Sequence, residues 1–307
     1  MSKRKGDKVD GWLVLDKPSG ITSTRAVTAV RRLFEAAKAG HGGTLDPLAT
    51  GVLPIALGEA TKTVPYVMDA TKVYRFTVRW GEARTTDDAE GSVTRTSPLR
   101  PTAAAIAGVL PGFIGAIVQL PPAFSALKIA GERAYDLARA DLPVVLEPRQ
   151  VVIERFALVD QPEPDLAVFE VVSGKGAYMR ALARDLGEVL GCFGHVVQLR
   201  RLRVGPFLES GAISLDSLVA LGHSPAAFEH LLPVETALDD IPALALTGTE
   251  ANRLRQGQAV ALFRKTDLDR LGDLQNGDLL CATAAGRPVA LARLDSGRIC
   301  PVRVLNL

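Results

Sequence analysis

Cysteine, histidine and aromatic residues are scarce in this chain of 307 residues, which holds three cysteines, four histidines and 5% aromatic residues. The cysteines, Cys192, Cys281 and Cys300, form no CxxC pair and match no zinc-ligand spacing. A disulfide framework and a metal site are therefore not expected, and a reducing compartment is the simplest interpretation. With 47% hydrophobic residues, a chain of this length can fold around an apolar core alone.

Long apolar runs are also missing. No segment approaches the length of a membrane span. The first ten residues, MSKRKGDKVD, are basic but lack the apolar stretch of a secretory signal. We therefore expect a cytoplasmic protein with no membrane partner.

Common catalytic motifs are absent as well. The chain has no P-loop, no GxSxG and no HExxH, and GKGAYM lacks the third glycine of a dinucleotide fingerprint. The four histidines occupy unrelated contexts, so nothing points to a Ser-His-Asp site. The motifs therefore give no support to these classes, and a Ser-His-Asp site stays an alternative without positive evidence.

Positive charge is clustered although the net charge is only +2. Residues 1–40 carry nine Lys or Arg against four acids, and residues 172–203 carry six against two. Residues 231–250 carry four acids and no Lys or Arg. Clustered positive charge is how a modestly basic protein meets a polyanion. Ordinary solvated faces are the alternative explanation of the clusters, and on charge alone that interpretation is favoured.

Hydrophobic periodicity predicts an α+β fold with a mixed, mostly antiparallel central sheet and flanking helices. Strands are predicted in GWLVLDK, in KVYRFTVRW, at 151–159, at 167–173 and in HVVQLRRLRVG. One helix is predicted from an N-cap at Ser23 to a stop at Gly40. A second helix is predicted in AYMRALARDLGEVLG, with Leu182, Leu186, Val189 and Leu190 on its apolar side.

The composition changes near residue 240, where VETALDDIPALAL forms an acidic, proline-bearing junction. One short helical segment, 249–256, and several short strands follow it. We therefore expect two domains, residues 1–240 and residues 241–307, the second a small β-barrel-like unit.

The segment AGHGGTLDPLATGVLP, residues 39–54, places one carboxylate, Asp46, among residues that bend the backbone. Pro47 biases Asp46 toward an extended or turn conformation. Leu45 and Leu48 flank it, so the carboxylate is poorly solvated and must either shift its pKa upward or find a cationic partner. No cation adjoins it in sequence, so a partner must come from elsewhere in the chain. An aspartate that caps its own turn is the alternative, and physical reasoning alone favours that alternative.

Several segments together resemble the TruB family of tRNA pseudouridine synthases. They are LDKPSGITS, GHGGTLDPLATGVLPIALGEATK, KVYRFTVRWGEARTTDDAEG, PPAFSALKIAGERAYDLAR, SGKGAYMRALARDLGEVLG and HVVQLRRLRVG. The last stretch, ALARLDSGRICPVRVLNL, resembles the end of a PUA domain, an RNA-binding unit. The matches cover nearly the whole chain in the family's order.

The resemblance implies a pseudouridine synthase fold with a C-terminal PUA-like domain. It implies isomerisation of the T-loop uridine of tRNA, position 55, to pseudouridine by base flipping, with no cofactor and no metal. The implied partner is tRNA, bound through its T-arm and acceptor end. A monomer without an obligate protein partner is expected.

The resemblance also assigns roles to residues. Asp46 matches the catalytic aspartate, as nucleophile or base, and Arg180 matches the arginine that pairs with it. Tyr74 matches the tyrosine that stacks on the flipped base, although a core tyrosine is an equal alternative from its strand pattern. The remaining matches are Tyr178 and Leu199 in the uracil pocket, His41 at the T-loop, and Lys17 and Lys62 near the site, as structural or phosphate-facing lysines.

Two features of this assignment stay open. Arg180 and Arg184 lie opposite Leu182 and Leu186 on an ideal helix, a pattern typical of a solvated face, and we interpret that face as lining the RNA cleft. The alternative functions are a non-catalytic RNA-binding or RNA-folding protein on the same scaffold and a guide-RNA-dependent subunit. The presence of Asp46 argues against the non-catalytic protein. The lack of long basic extensions argues against the guide-RNA-dependent subunit.

Overall fold

The structure is a computed structural model that describes residues 6–124, 128–129, 132–133, 146–262 and 270–307. Its strands, in chain order, are β1 (Gly11–Lys17), β2 (Ala39–His41), β3 (Thr50–Leu57), β4 (Lys72–Trp80), β5 (Glu82–Arg84), β6 (Val93–Thr96), β7 (Gly115–Gln119), β8 (Lys128–Ile129), β9 (Glu132–Arg133), β10 (Arg149–Glu163), β11 (Leu166–Ser173), β12 (Gly194–Val204), β13 (Phe207–Leu208), β14 (Ile213–Ser214), β15 (Leu231–Leu232), β16 (Ala243–Ala245), β17 (Val260–Ala261), β18 (Leu279–Ala284), β19 (Arg287–Asp295) and β20 (Arg298–Val304).

The helices of the same residues are α1 (Ser23–Leu33), α2 (Val64–Asp69), α3 (Ala103–Val109), α4 (Met179–Val189), α5 (Leu215–Leu221), α6 (Pro225–Phe228) and α7 (Gly248–Arg255). Short 3₁₀ turns cover Gly58–Lys62, Leu110–Phe113, Glu209–Gly211 and Val234–Leu238. None of the described helices is long and apolar enough to cross a membrane.

Eleven of the described strands form one sheet, ordered β14–β1–β3–β12–β4–β11–β10–β7 along its main path. The shorter strands β2, β13 and β15 add to β3, β12 and β1. The β1–β14 and β3–β12 pairs are parallel, and the other pairs of this sheet are antiparallel. The α+β class and the mostly antiparallel sheet predicted from the periodicity are confirmed.

Both faces of this sheet are covered at β1, as alternation along that strand shows. Leu13 and Leu15 join the core formed with α1 and α4, whereas Trp12 and Val14 join a second cluster on the opposite face. Successive side chains of a strand point to opposite faces, so an almost continuously buried strand has a layer on each side. Strand β1 therefore lies inside the molecule.

The helix predicted from Ser23 to Gly40 is shorter than expected. Thr22 is its N-cap, since its hydroxyl accepts a hydrogen bond from Arg25 N–H at 3.1 Å. The helix ends at Leu33, and Glu35 then adopts φ 49°. The following residues pair as β2 with β3. Tertiary strand pairing thus overrides a helical pattern of alanines, and the prediction of both helix ends was wrong.

The second predicted helix is confirmed as α4. Leu182 and Leu186 are fully buried, but Val189 is 61% exposed. Val189 is the last residue of the helix, and the chain reverses at Gly191, which adopts φ 69°. Leu190, the C-cap of the helix, still packs partly against the core, so Val189 alone departs from the predicted apolar side.

The C-terminal residues form a separate five-stranded sheet, ordered β16–β18–β19–β20–β17, with its own apolar core and with α7 packed on it. A small cluster of Leu238, Cys281, Leu291 and Leu305 joins this unit to Tyr66 of α2.

The end of the chain is tied back to the 3₁₀ turn that follows β3. Lys62 Nζ donates to the carbonyl of Val304 at 2.8 Å and pairs with Glu59 at 2.7 Å. Glu59 in turn accepts from Asn306 N–H at 2.7 Å, and Lys8 Nζ donates to the Asn306 carbonyl at 2.8 Å. We call these four contacts the C-terminal latch.

The loop between β5 and β6 lies against β12 and α4. Asp87 adopts φ 59°, and its carbonyl accepts from Val196 N–H at 3.1 Å. Its carboxylate lies 3.0 Å from Nη1 of Arg184. Burial raises the pKa of Asp87 to about 6, although Arg184 and Arg180 oppose the shift. This loop delivers the next residue, Asp88, to the interior.

A glycine in β3 permits the closest backbone approach of the sheet. Gly51 adopts φ +97°, and a Cβ there would lie 2.2 Å from the carbonyl oxygen of Arg201 on β12. We expect Gly51→Ala to lower the free energy of unfolding by roughly 2–4 kcal/mol, because strain and a clash add. Gly191→Ala is the control, since φ is +69° there but the space is open. Its cost should be about 1 kcal/mol. Equal costs in urea-induced unfolding would contradict the close approach.

The raised pKa of Asp87 gives a pH-dependent stability. The native state holds this proton more tightly than the unfolded chain, whose aspartates titrate near about 4. The contribution of Asp87 to stability therefore falls as the pH rises through about 6. Relative to Asp87→Asn, wild type should lose about 1 kcal/mol of unfolding free energy between pH 5 and pH 7. Urea unfolding at several pH values measures this, and parallel profiles for the two proteins would contradict it.

Candidate active site

Asp46 lies in the irregular segment between β2 and β3, and its side chain is 31% exposed. Its Oδ2 lies 2.9 Å from Nη2 of Arg180, at the start of α4. The cationic partner that the sequence requires therefore comes from a residue 134 positions away, as the family resemblance implied. An aspartate that merely caps its own turn would not need this buried guanidinium.

Arg180 is 3% exposed and serves two carboxylates. Its Nη1 lies 3.5 Å from Oδ2 of Asp88, which is also buried. The same guanidinium donates to the carbonyls of Thr86 at 3.1 Å and Phe124 at 2.8 Å. A buried cation is stable only when charge and hydrogen bonds compensate it, and these four contacts supply both. Arg180 is therefore not on a solvated face, although the helix pattern is typical of one, and the interpretation that this face lines an RNA cleft stays a prediction.

Asp88 was missed in the sequence. Its carboxylate also accepts from the Thr86 hydroxyl and from Glu90 N–H, the latter at 3.0 Å. The available signal was a pair of acids in TTDDAEG between two predicted strands, but acids in a polar loop are usually solvated. Only the three-dimensional path of the loop brings Asp88 to Arg180.

Gln119, at the end of β7, fixes the start of α4. Its buried side-chain amide donates to the carbonyl of Tyr178 at 3.1 Å and accepts from Tyr178 N–H at 2.8 Å. Tyr178 is the N-cap of α4, so this paired contact sets the position of Arg180 two residues later. Gln119 too was missed, because a lone glutamine at a strand end carries no sequence signal.

Two further side chains hold the segment around Asp46. The Ser23 hydroxyl accepts from Leu45 N–H at 2.8 Å and donates to the Leu45 carbonyl at 3.0 Å. Lys17 is fully buried, and its ammonium donates to the carbonyls of Pro18, Ile21 and Pro47 at 2.8, 2.9 and 3.2 Å. Of the two roles expected for Lys17, these contacts support the structural one.

The pKa of Lys17 reflects its burial and the charges around it. Burial lowers the pKa of Lys17 to about 8, the negative charge of Asp46 opposes the shift, and the positive charge of Arg201 adds to it. Lys17, Asp46 and Arg201 therefore share one electrostatic environment.

The residues expected to line the uracil pocket lie on neighbouring elements. Leu199 of β12 is opposite Phe76 of β4, and Arg201 is opposite Tyr74. On its other side Arg201 is paired with Gly51 of β3. Tyr74 is thus two strand spacings, roughly 10 Å, from the strand that the Asp46 segment enters. Tyr74 is only partly buried against the core, so it is not purely a core residue.

The two remaining expected residues lie apart from each other. His41 ends β2, opposite Ile55, and precedes the Asp46 segment directly. Lys62 belongs to the C-terminal latch, with Glu59 and Val304 as its partners. Its contacts therefore support a structural role between the two units of the chain.

The arrangement has a defined chemical capacity. The Asp46 carboxylate is paired with the buried guanidinium of Arg180 but remains reachable from solvent. Such a carboxylate can attack carbon or remove a proton. Within the described residues no group of three or more His, Cys, Asp or Glu side chains is placed to hold a metal ion.

Comparison with known proteins gives two family matches and full-length relatives. Residues 31–179 match the family described as TruB family pseudouridylate synthase, N-terminal domain, and residues 180–239 match the tRNA pseudouridylate synthase B C-terminal domain. A curated tRNA pseudouridine synthase B of Rhodospirillum rubrum is 56% identical over 99% of both chains. The protein of that name from Bradyrhizobium diazoefficiens is 58% identical, covering 99% of this chain and 88% of its own.

Solved structures share the fold. A Cbf5-Nop10-Gar1 complex contains a chain with a TM-score of 0.72 and 26% identity, covering 96% of this chain and 83% of its own. An H/ACA RNP bound to a substrate RNA containing 2′-deoxyuridine gives a TM-score of 0.74 at 24% identity, covering 97% and 85%. The full-length identity to the curated relatives and the two family matches decide the assignment: the chain belongs to the TruB family of pseudouridylate synthases.

Proposed function

We propose that this chain isomerises the T-loop uridine of tRNA, position 55, to pseudouridine, with Asp46 as the catalytic group. The observation that carries the proposal is the 2.9 Å ion pair between Asp46 and Arg180 in a chain of this family. The curated relatives that match over the full chain are named for the same reaction on tRNA.

The chemistry fits one carboxylate without a cofactor or metal. The N1–C1′ bond of the uridine breaks, the base turns, C5 bonds to C1′, the C5 proton leaves and N1 gains a proton. All exchanged bonds belong to the nucleotide, so no external group is consumed. Asp46 acts at the ribose as nucleophile or at a proton as base, and either role requires its ionised form. Arg180 compensates that charge where the segment is partly withdrawn from water.

The uridine must leave its stack to reach Asp46. Extrusion of a base costs a few kcal/mol, which stacking and phosphate contacts offset. Tyr74 is the proposed stacking partner, and Tyr178 and Leu199 line the proposed pocket beside it. His41, next to the Asp46 segment in β2, is the proposed contact with the opened T-loop.

The proposal assigns residues 1–240 to catalysis and residues 241–307 to a PUA-like unit that holds the acceptor end of tRNA. One cleft of the second unit is lined by Arg255 and Arg287 together with Asn306 and Leu307. Two exposed guanidinium groups in a concave surface suit a phosphate backbone. We also propose that the chain is a cytoplasmic monomer that acts without a protein partner or guide RNA.

Asp46→Asn tests the catalytic assignment. The substitution is nearly isosteric but removes the carboxylate, so we expect no pseudouridine while tRNA affinity stays within about tenfold, or about 1.4 kcal/mol. The assay uses purified protein and an unmodified tRNA transcript. Asp216→Asn, at an exposed position of α5, is the matched control and should leave the rate unchanged.

The same assay separates the alternative functions. An RNA-folding protein without catalysis gives no product with wild type, and a guide-dependent subunit gives product only after a guide RNA is added. Substantial turnover by the Asn variant would falsify the role of Asp46.

The C-terminal cleft gives a second test. The double variant Arg255→Ala, Arg287→Ala should bind whole tRNA more weakly, while binding to an isolated T-arm stem-loop stays unchanged. The slope of log affinity against log salt for whole tRNA should become shallower by up to about two units.

Filter binding at several salt concentrations measures both effects. Arg253→Ala is the control, because it removes an exposed charge from the same helix α7 but does not line the cleft. Equal losses of affinity for whole tRNA and for the stem-loop would contradict a role at the acceptor end.

A further inference from the structure

Arg201 of β12 is a buried cation that the proposed chemistry does not use. It is 1% exposed and is among the largest fully buried side chains of the described residues. Its Nε donates to the carbonyl of Val52 at 2.8 Å, Nη2 to Gly43 at 3.0 Å and Nη1 to Thr44 at 3.3 Å. Over the described residues, no carboxylate forms an ion pair with it. A side chain that only filled space would be apolar, because an unpaired buried charge is costly.

The three acceptors lie on both sides of Asp46. Gly43 and Thr44 precede Asp46 by three and two residues, and Val52 follows it on β3. The guanidinium is planar and its donors have a fixed geometry, so it sets the distance between the two ends of this segment. The segment from 43 to 52 is therefore closed by one rigid group.

Two side chains described above hold the segment only locally. Ser23 binds Leu45, and Lys17 binds Pro47, the residues directly before and after Asp46. Both hold the segment to the elements that precede it in the chain. Neither connects it to the strands that carry the proposed pocket.

Arg201 makes that connection with three hydrogen bonds, whereas the Thr50 hydroxyl adds one long contact, 3.5 Å, with the carbonyl of Leu199. In the sheet Arg201 is opposite Gly51 of β3 on one side and Tyr74 of β4 on the other. Leu199 lies two residues earlier on the same strand. The missing Cβ of Gly51 lets the backbone of Arg201 approach closely. One residue thus contacts the catalytic segment through its side chain and adjoins the pocket strand through its backbone.

We propose that Arg201 is a positioning residue, which fixes the Asp46 carboxylate relative to Tyr74 and Leu199 by binding the carbonyls of Gly43, Thr44 and Val52. It does not touch the substrate. It sets the rate of the chemical step and leaves tRNA affinity unchanged. The inference rests on the proposed function, since the role is defined relative to catalysis by Asp46.

The test compares Arg201→Met and Arg201→Lys in single-turnover reactions at saturating enzyme. A misplacement of about 1 Å can cost about 100-fold in rate, so we expect a loss of about that size for Arg201→Met with an affinity within about threefold of wild type. Lysine keeps the charge but cannot bind all three carbonyls in the same geometry, so Arg201→Lys should recover only part of the rate. Guanidinium ion added to Arg201→Ala should recover part of it as well.

Other roles predict different results. A phosphate contact would lower affinity and flatten its salt dependence, with an unchanged rate at saturation. A purely structural role would lower the melting temperature, with an unchanged rate per folded molecule. Either outcome overturns the proposal.

Separate control experiments address the folding of the variants and the proposed function. If the Arg201 variants do not fold, Gly43→Ala perturbs the same contacts from the segment itself, because Gly43 adopts φ +124°. A folded Gly43→Ala protein with the wild-type rate also overturns the proposal. Wild-type protein that makes no pseudouridine indicates failure of the proposed function, whatever the variants do.

Discussion

A single buried guanidinium, that of Arg180, organises the candidate site. It is bound between Asp46 and Asp88 and also donates to two backbone carbonyls, so four segments must arrive in register before its charge is compensated. Removing either acid would leave a buried charge without its partner, which is costly. The start of α4, the segment after β7, the loop after β5 and the Asp46 segment therefore depend on one another.

Hydrogen bonds from buried cations to backbone carbonyls recur around this site. Lys17 and Arg201 make three such bonds each, and Lys72 makes two, to Met68 and Ala70. Burial lowers the pKa of Lys72 to about 8, with the positive charge of Arg201 adding to the effect. Apolar packing tolerates small shifts, whereas a carbonyl bonded at 3 Å does not, because hydrogen-bond energy falls quickly with poor geometry. Segments that need accurate placement are thus held by hydrogen bonds from charged side chains rather than by apolar packing.

The sequence predicted the parts of the fold that local patterns determine. Strict alternation identified β4, and apolar spacing identified α4. The same patterns failed where a distant segment decides, as after α1, where the alanine-rich residues predicted as helix lead instead into strand β2, which pairs with β3. Asp88, Gln119 and Arg201 could not be predicted, because a polar residue in a loop or a strand is ordinarily solvated. Their burial depends on which segments meet, and that information is not local.

Strand β3 has a further consequence through the C-terminal latch. One end of β3 receives the Asp46 segment, and the other leads into the 3₁₀ turn whose Glu59 and Lys62 bind the last residues of the chain. Eight strand residues span roughly 26 Å, and both faces of this strand are packed, so its length is fixed. Strand β3 therefore sets the distance between the Asp46 segment and the attachment point of the C-terminal unit. Under the proposed function, this distance would select RNAs whose two contact points have a matching separation.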